Sequence, residues 1–187
     1  IEPNIGVVNV PDNRLNKLET IVNPERVLPA TVEIIDIAGL VKGASKGEGL
    51  GNKFLANIRE TDAIIHVLRC FDNDNIIHVD TTIDPVRDKE TIDYELQFKD
   101  LESIEKRIER VKKSARTGDK AAQKELDVLN KVKKGLESAI SVRAVDIDTS
   151  DRADYIDTLQ LLTDKPVLYV CNVDEASAKD GNDYVTQ

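Results

Sequence analysis

The stretch VEIIDIAGLVKGASKGEGLGNKFL, residues 32–55, joins an apolar run to a segment rich in glycine. The apolar run ends at Asp36, and five glycines follow at positions 39, 43, 47, 49 and 51. Ordinary turns need fewer glycines than this. The segment therefore indicates either a loop that handles phosphate or a flexible linker.

Short runs typical of an α/β fold flank the glycine-rich segment. Residues 30–36 (ATVEIID) and 62–71 (DAIIHVLRCF) are rich in β-branched side chains and have the length of strands. Residues 52–61 (NKFLANIRET), between them, have a helical pattern. A strand, a loop, a helix and a strand in this order predict a βαβ unit and hence a parallel sheet.

The pattern changes over residues 88–143. Apolar residues recur at steps of three and four from Leu101 to Ala115, and a second stripe runs from Ala122 to Ile140. A glycine within RTGDK (116–120) separates the two stripes. We predict two long helices that pack antiparallel as a coiled-coil hairpin. Because the seam is short, we expect the pairing to be intramolecular and the protein to be a monomer.

The α/β character returns after these helices. A helix is predicted over 152–162 and a buried strand over 165–175, which runs into polar residues. The predicted fold is therefore an α/β domain with a mostly parallel sheet and an inserted helical hairpin. Its predicted parts are 1–87, the hairpin 88–143, and 144–187.

Composition and charge exclude several classes of protein. The 187 residues carry a net charge of -9, so the surface as a whole should repel nucleic acid and anionic membranes. No apolar run is long enough for a transmembrane helix, and no signal peptide is recognisable. Cys70 and Cys171 lie in apolar stretches, which predicts reduced thiols and a cytoplasmic protein. Methionine is absent, so we expect the sequence to begin inside a longer protein.

Asp36 and Gly39 form the pattern D-x-x-G at the predicted end of a strand. Ligands of open parallel sheets bind at the carboxyl ends of strands. A carboxylate there can hold Mg²⁺ through water, and a glycine amide can approach a terminal phosphate. A lone match is weak, because a strand-end aspartate also commonly caps a following helix.

A second pattern follows the strand at 165–175. Asn172, Val173 and Glu175 stand where nucleotide switches carry the base-reading motif N-K-x-D, in which the acid accepts hydrogen bonds from guanine. Here valine replaces the lysine and glutamate replaces the aspartate, which argues against strict guanine selection. The alternative is that Asn172 only begins a polar loop.

These motifs, with IEPNIGVVNVPDNRL (1–15) and DIAGLVKGASKGEGLGNKFLANIRETDAI (36–64), resemble the Obg-like ATPase family, YchF subfamily. The resemblance implies a P-loop NTPase-type domain interrupted by a coiled coil and followed by a TGS domain. It also implies Mg²⁺-dependent hydrolysis of ATP, weaker use of GTP, and association with the ribosome. By position, Asp36 and Gly39 would contact Mg²⁺ and the γ-phosphate, and Asn172, Val173 and Glu175 would line the base.

Two features of the resemblance limit what this chain does alone. Leu40 follows Gly39, where Ras-like enzymes place a glutamine that orients water, so the catalytic group is unknown. No G-x-x-x-x-G-K-[ST] occurs, and we expect the phosphate cradle to lie upstream of Ile1 and the TGS domain to follow Gln187. The chain alone is predicted neither to bind ATP tightly nor to hydrolyse it.

The predicted hairpin tip is basic. Eight Lys or Arg residues occur from Lys106 to Lys124 against two acidic residues. We predict contact with the ribosome or RNA by Arg110, Lys112, Lys113, Arg116 and Lys120. The alternative is a solvated helix face, because no aromatic residue is interleaved for base stacking.

The remaining candidates are weaker. His66 and His78 have no partner at metal-ligand spacing, so we predict packed or surface histidines. The main functional hypothesis is a nucleotide-hydrolysing switch. The competing hypothesis is an interaction module, in which the hairpin binds a partner and the α/β part is a scaffold.

Overall fold

A computed structural model describes residues 4–37, 50–76 and 82–187, with the side chains of 50–53 left out. The chain divides into two compact units, Ile1–Gly39 and Leu40–Gln187. None of the helices in these described ranges is long and apolar enough to cross a membrane.

The first unit contains β1 (Asn4–Asn9), α1 (Asn13–Val22) and β2 (Thr31–Asp36). The two strands pair antiparallel, with Asn4 opposite Asp36. Helix α1 begins after Asp12, whose carboxylate accepts a hydrogen bond from the backbone N–H of Arg14 at 2.9 Å. The predicted strand at 30–36 is confirmed.

The second unit contains α2 (Leu50–Glu60), β3 (Ile64–Arg69) and β4 (Val167–Asn172). Strands β3 and β4 pair in parallel, with Ile64 opposite Val167 and Arg69 opposite Asn172. Parallel pairing is therefore present, but the predicted βαβ unit misassigned the partners, because β2 pairs antiparallel with β1. Sequence periodicity identifies a strand but does not identify the strand beside it.

Two long helices, α3 (Pro85–Arg116) and α4 (Lys120–Glu137), lie between β3 and β4 in sequence. The N-terminus of α3 is capped by Asp84, which accepts from the N–H of Arg87 at 3.0 Å, and Pro85 occupies the first turn. Asp119 caps α4 in the same way. Gly118 adopts φ 88° in the intervening turn, a conformation that favours glycine.

The apolar stripes of α3 and α4 face each other and form the main core. Ile104, Leu129 and Val132 are completely buried. The Gln123 side chain donates to the carbonyl of Ala115 at 3.2 Å, and Lys133 pairs with Glu105 at 2.7 Å. The start of α4 thus contacts the end of α3, and the end of α4 contacts an earlier part of α3, so the helices run antiparallel.

The segment after α4 closes this core with short elements. It contains α5 (Thr149–Tyr155), 3₁₀ turns at 142–144, 157–159 and 162–164, and finally α6 (Asp183–Thr186). The predicted continuous helix over 152–162 is wrong, because α5 ends at Tyr155 and Gln160 has φ 48°.

Tertiary hydrogen bonds explain this break. Asp100 of α3, which is completely buried, accepts from the backbone N–H groups of Leu162 at 2.8 Å and Thr163 at 2.7 Å, and from the Thr163 hydroxyl at 2.8 Å. These donors are therefore satisfied by a side chain 62 or 63 residues away rather than by a helix.

Candidate functional site

Asp36 is the last residue of β2 and its side chain is exposed. Its carboxylate has no hydrogen-bond or ion-pair partner among the residues that the structure describes. A free carboxylate at a strand end fits a ligand that holds Mg²⁺ through water. Gly39 and Leu40 lie outside the described residues, so the phosphate part of the motif stays a prediction.

Asn172 is the last residue of β4 and stands beside Arg69 of β3. Its carbonyl accepts a hydrogen bond from the N–H of Cys70 at 2.7 Å, and its side chain is exposed. The hydrogen bonds between β3 and β4 thus fix the backbone of Asn172, and its side-chain amide remains available to a ligand. Val173 is half-buried directly after it.

The two acids that follow have different surroundings. Asp174 accepts from the N–H of Ser177 at 2.8 Å, and the hydrogen bonds from Ser177 lower the pKa of Asp174. Glu175 is exposed, and no side chain or backbone group in the described ranges pairs with its carboxylate. Glu175 is therefore the acid that is free to accept hydrogen bonds from a ligand.

The loops around Asn172 are held by contacts that the sequence did not reveal. Asn182 donates from its side-chain amide to the carbonyl of Cys70 at 2.8 Å and accepts from the N–H of Tyr184 at 3.1 Å. The Tyr184 hydroxyl donates to Asp72 at 3.0 Å. An asparagine before a short helix is a recognisable cap signal, but its bond to Cys70 requires the tertiary structure.

Arg69 organises the loop that follows β3. Its guanidinium donates to the carbonyls of Phe71, Asn73 and Ile76 at 3.0–3.2 Å, and it lies 4.8 Å from the centre of the Phe71 ring. The loop 70–76 is therefore shaped by an arginine. In the described residues no group of three or more His, Cys, Asp or Glu side chains could hold a metal ion.

The cysteines and His66 have the surroundings of packed residues. Cys70 is completely buried, and burial, with a smaller effect of the Cys171 thiol, raises its pKa to about 11. Both thiols are free, and at that pKa Cys70 is unreactive near neutral pH. Burial lowers the pKa of His66, whose ring lies 5.7 Å from that of Tyr169. His78 lies outside the described residues.

The predicted contact residues lie at the end of α3 and the start of α4. Arg110, Lys113, Arg116 and Lys120 are exposed, whereas Lys112 is half-buried and pairs with Glu109. Arg107 pairs with Glu125 at 2.6 Å, and Lys124 pairs with Asp151. The tip therefore keeps four exposed cations, Arg110, Lys113, Arg116 and Lys120, that form no ion pair in the described part of the chain.

The sequence matches a known family model and curated relatives. A family model described as 50S ribosome-binding GTPase matches residues 4–107. The chain is 58% identical over 177 residues to the Ribosome-binding ATPase YchF of Haemophilus ducreyi, covering 95% of this chain and 48% of that protein. It is 51% identical over 189 residues to the Ribosome-binding ATPase YchF of Bacillus subtilis, covering 100% of this chain and 51% of that protein.

A solved structure agrees with these sequence matches. The Schizosaccharomyces pombe YchF GTPase superposes with a TM-score of 0.80 at 39% identity, and the match covers 100% of this chain and 51% of that chain. The α/β fold of P-loop GTPases and the predicted resemblance to YchF are confirmed. The chain spans about half the length of the curated relatives that it matches.

Proposed function

Because the chain belongs to the 50S ribosome-binding GTPase family, we propose that it is the base-reading and switch portion of a nucleotide-hydrolysing protein. The longer protein would bind and hydrolyse ATP with Mg²⁺, use GTP more weakly, and act in the cytoplasm in association with the ribosome. The observation that carries the proposal is a pair of side chains, Asn172 and Glu175, at the carboxyl end of the parallel strand β4, for which the described residues offer no hydrogen-bond or ion-pair partner.

The preference for ATP follows from the residues at the base. Guanine presents two donors, N1–H and the exocyclic amine, to an acid at the end of this motif, and adenine presents neither. Val173 has no ammonium group and Glu175 is longer than the usual aspartate. The pair therefore does not supply the contacts that select guanine, which supports a preference for ATP.

A separate part of the proposal concerns the phosphates and involves Asp36 and Gly39. The exposed Asp36 carboxylate would orient water molecules of the Mg²⁺ shell, and the N–H of Gly39 would donate to the terminal phosphate. Mg²⁺, when bound, offsets the negative charge of the phosphates. The Leu40 side chain cannot hydrogen-bond to water, so the attacking water is oriented by another group.

The helical pair α3 and α4 supports a second part of the proposal. We propose that it is a coiled-coil arm inserted at 88–143 into a nucleotide-binding domain that comprises 1–87 and 144–187. The relatives named above are described as ribosome-binding. The exposed cations Arg110, Lys113, Arg116 and Lys120, with Lys112, are the surface that we propose for a ribosome or RNA contact.

The competing function is that of an interaction module, with a scaffold that does not hydrolyse nucleotide. The four exposed cations at the tip favour this function for the chain taken alone. The two functions share the tip but differ at Asp36. A measurement of nucleotide hydrolysis therefore distinguishes the two functions, whereas a measurement of partner binding does not.

A steady-state ATPase assay of the longer protein tests the proposal. Substituting Asp36→Asn removes the charge that faces Mg²⁺ and keeps the shape, so we expect kcat to fall about 100-fold or more, by analogy with loss of one group that stabilises a transition state. Asp12→Asn, at the N-terminal cap of α1 in the same unit, is the matched control and should leave kcat unchanged. Equal ATPase rates for wild type and Asp36→Asn would favour the interaction module.

A further inference from the structure

A cationic groove lies between the end of α2 and one face of α3. It has a volume of about 390 Å³, and its charged lining consists of Arg59, Lys99, Lys106, Arg107, Arg110 and one carboxylate, Glu102. Lys99, Lys106 and Arg110 lie on one face of α3, spaced by close to whole helical turns. We call these six residues the cationic groove.

The acidic partners do not neutralise this groove. Lys99 and Lys106 share the single carboxylate of Glu102, and Arg107 takes Glu125. The hydrogen bonds from Lys106 and Lys99 lower the pKa of Glu102 to about 2, so it contributes one negative charge at any physiological pH. Arg59 and Arg110 form no ion pair within the described ranges. The groove is therefore positive in a chain whose net charge is -9.

Arg59 adds a buried hydrogen-bond donor to the cationic groove. Its Nε is buried and has no hydrogen-bond partner among the described residues. Asp100 attracts Arg59 electrostatically, but both Asp100 oxygens already accept hydrogen bonds from Leu162 and Thr163. Buried donors without an acceptor are uncommon in folded proteins, and an arginine fork matches the oxygens of a phosphate.

We propose that the cationic groove binds a small oligophosphate anion, of the class of inorganic pyrophosphate or tripolyphosphate, at a site separate from the nucleotide base. The groove has the volume of a small-molecule site. In the described part of the chain no aromatic side chain lines it, so the ligand is recognised by its phosphates and not by a stacked base. Arg59 and Arg110 would donate to the phosphate oxygens, and the lysines would add charge.

Isothermal titration of the 187-residue chain with sodium tripolyphosphate at low ionic strength tests this site. We expect saturable binding that weakens about tenfold or more in the double variant Arg59→Gln, Arg110→Gln, since it removes two charge-assisted contacts. The matched control, Lys17→Gln with Arg26→Gln, removes two exposed cations of the first unit and should change the affinity less than twofold. The single variant Arg110→Gln changes only an exposed side chain, so its loss of affinity cannot be ascribed to unfolding.

Three outcomes would overturn the proposal. One is the absence of saturable tripolyphosphate binding, and another is an equal loss of affinity in the groove and control variants. The third is binding of an RNA duplex that depends on Arg59 and Arg110 while tripolyphosphate neither binds nor competes, which would make the groove a polymer contact. None of these outcomes depends on ATP hydrolysis, so the groove and the proposed function can fail separately.

Discussion

Asp100 shows how one buried charge fixes a turn that leads to the candidate site. Its carboxylate holds two backbone N–H groups and the Thr163 hydroxyl, and the turn at 162–164 leads into β4. Burial is the main cause that raises the pKa of Asp100 above its ordinary value, and the hydrogen bonds from Thr163 and Leu162 oppose it.

The pH dependence of stability follows from this direction. A carboxyl group with a raised pKa in the folded state contributes stability that is complete below its unfolded pKa, about 3.9, and is lost as the pH rises through the folded value. We expect the unfolding free energy of wild type, relative to Asp100→Asn, to fall as the pH rises from about 4 toward neutrality. Urea unfolding at a series of pH values measures this difference, and a difference that grows with pH would contradict it.

Removing the carboxyl group entirely has a larger effect. Asp100→Ala leaves the N–H groups of Leu162 and Thr163 buried without an acceptor, which costs about 3 kcal/mol or more. Thr163→Val removes one hydroxyl from the same cluster and should cost about 1–2 kcal/mol. Chemical denaturation of both variants at neutral pH provides the comparison. Equal losses would show that the carboxylate has no special role.

At the scale of elements, Gly135 determines how closely the turn at 142–144 approaches α4. A Cβ at this position would lie 2.7 Å from Cγ2 of Val145, which is too close for a real contact. Gly135→Ala should therefore destabilise the protein by about 1–3 kcal/mol, although alanine is the better helix former.

A second substitution separates packing from helix propensity. In a Val145→Ala background the obstructing methyl groups are absent, so Gly135→Ala should become neutral or stabilise the protein by up to about 1 kcal/mol. The double-mutant cycle is measured by thermal or urea unfolding. Additive effects of the two substitutions would show that contact with Val145 is not the reason why position 135 requires glycine.

The sequence predicted the regular elements well, for reasons visible in particular residues. The stripes from Leu101 to Ala115 and from Ala122 to Ile140, with the glycine between them, identified both long helices, because a helical period and a turn signal are local properties. The second stripe was predicted too long, since α4 ends at Glu137 and Ile140 is exposed. The region 152–162 was predicted as one helix, and its actual course depends on Asp100, far away in sequence. Local patterns do not contain that information.

The same limit applies to the candidate site. Asn172 and Glu175 were identified because an apolar run predicts a strand that ends there, which is a local signal. The predicted burial of that strand is wrong, because no residue of β4 is buried in the structure. That Asp174, and not Glu175, has a hydrogen-bond partner among the described residues depends on Ser177, which only the structure shows. The supporting contacts of Arg69 and Asn182 were not predicted at all.

At the scale of the whole molecule, the 187 residues contain the segment that we propose reads the base but no G-x-x-x-x-G-K-[ST] loop. Such a loop supplies most of the backbone and lysine contacts to the phosphates. We therefore predict that isothermal titration of this chain with Mg-ATP shows no binding with a Kd on the order of micromolar. Micromolar binding would show that the remaining residues suffice for the phosphates.

The most direct test of the account is the ratio of ATP to GTP affinity in the longer protein. Val173→Lys with Glu175→Asp restores the guanine-reading residues at the end of β4, and we expect this ratio to shift toward GTP by about tenfold or more. Asp174→Asn alters the neighbouring acid that is already engaged by Ser177, and should leave the ratio unchanged. An unchanged ratio in a folded Val173→Lys, Glu175→Asp protein would show that Asn172, Val173 and Glu175 do not contact the base.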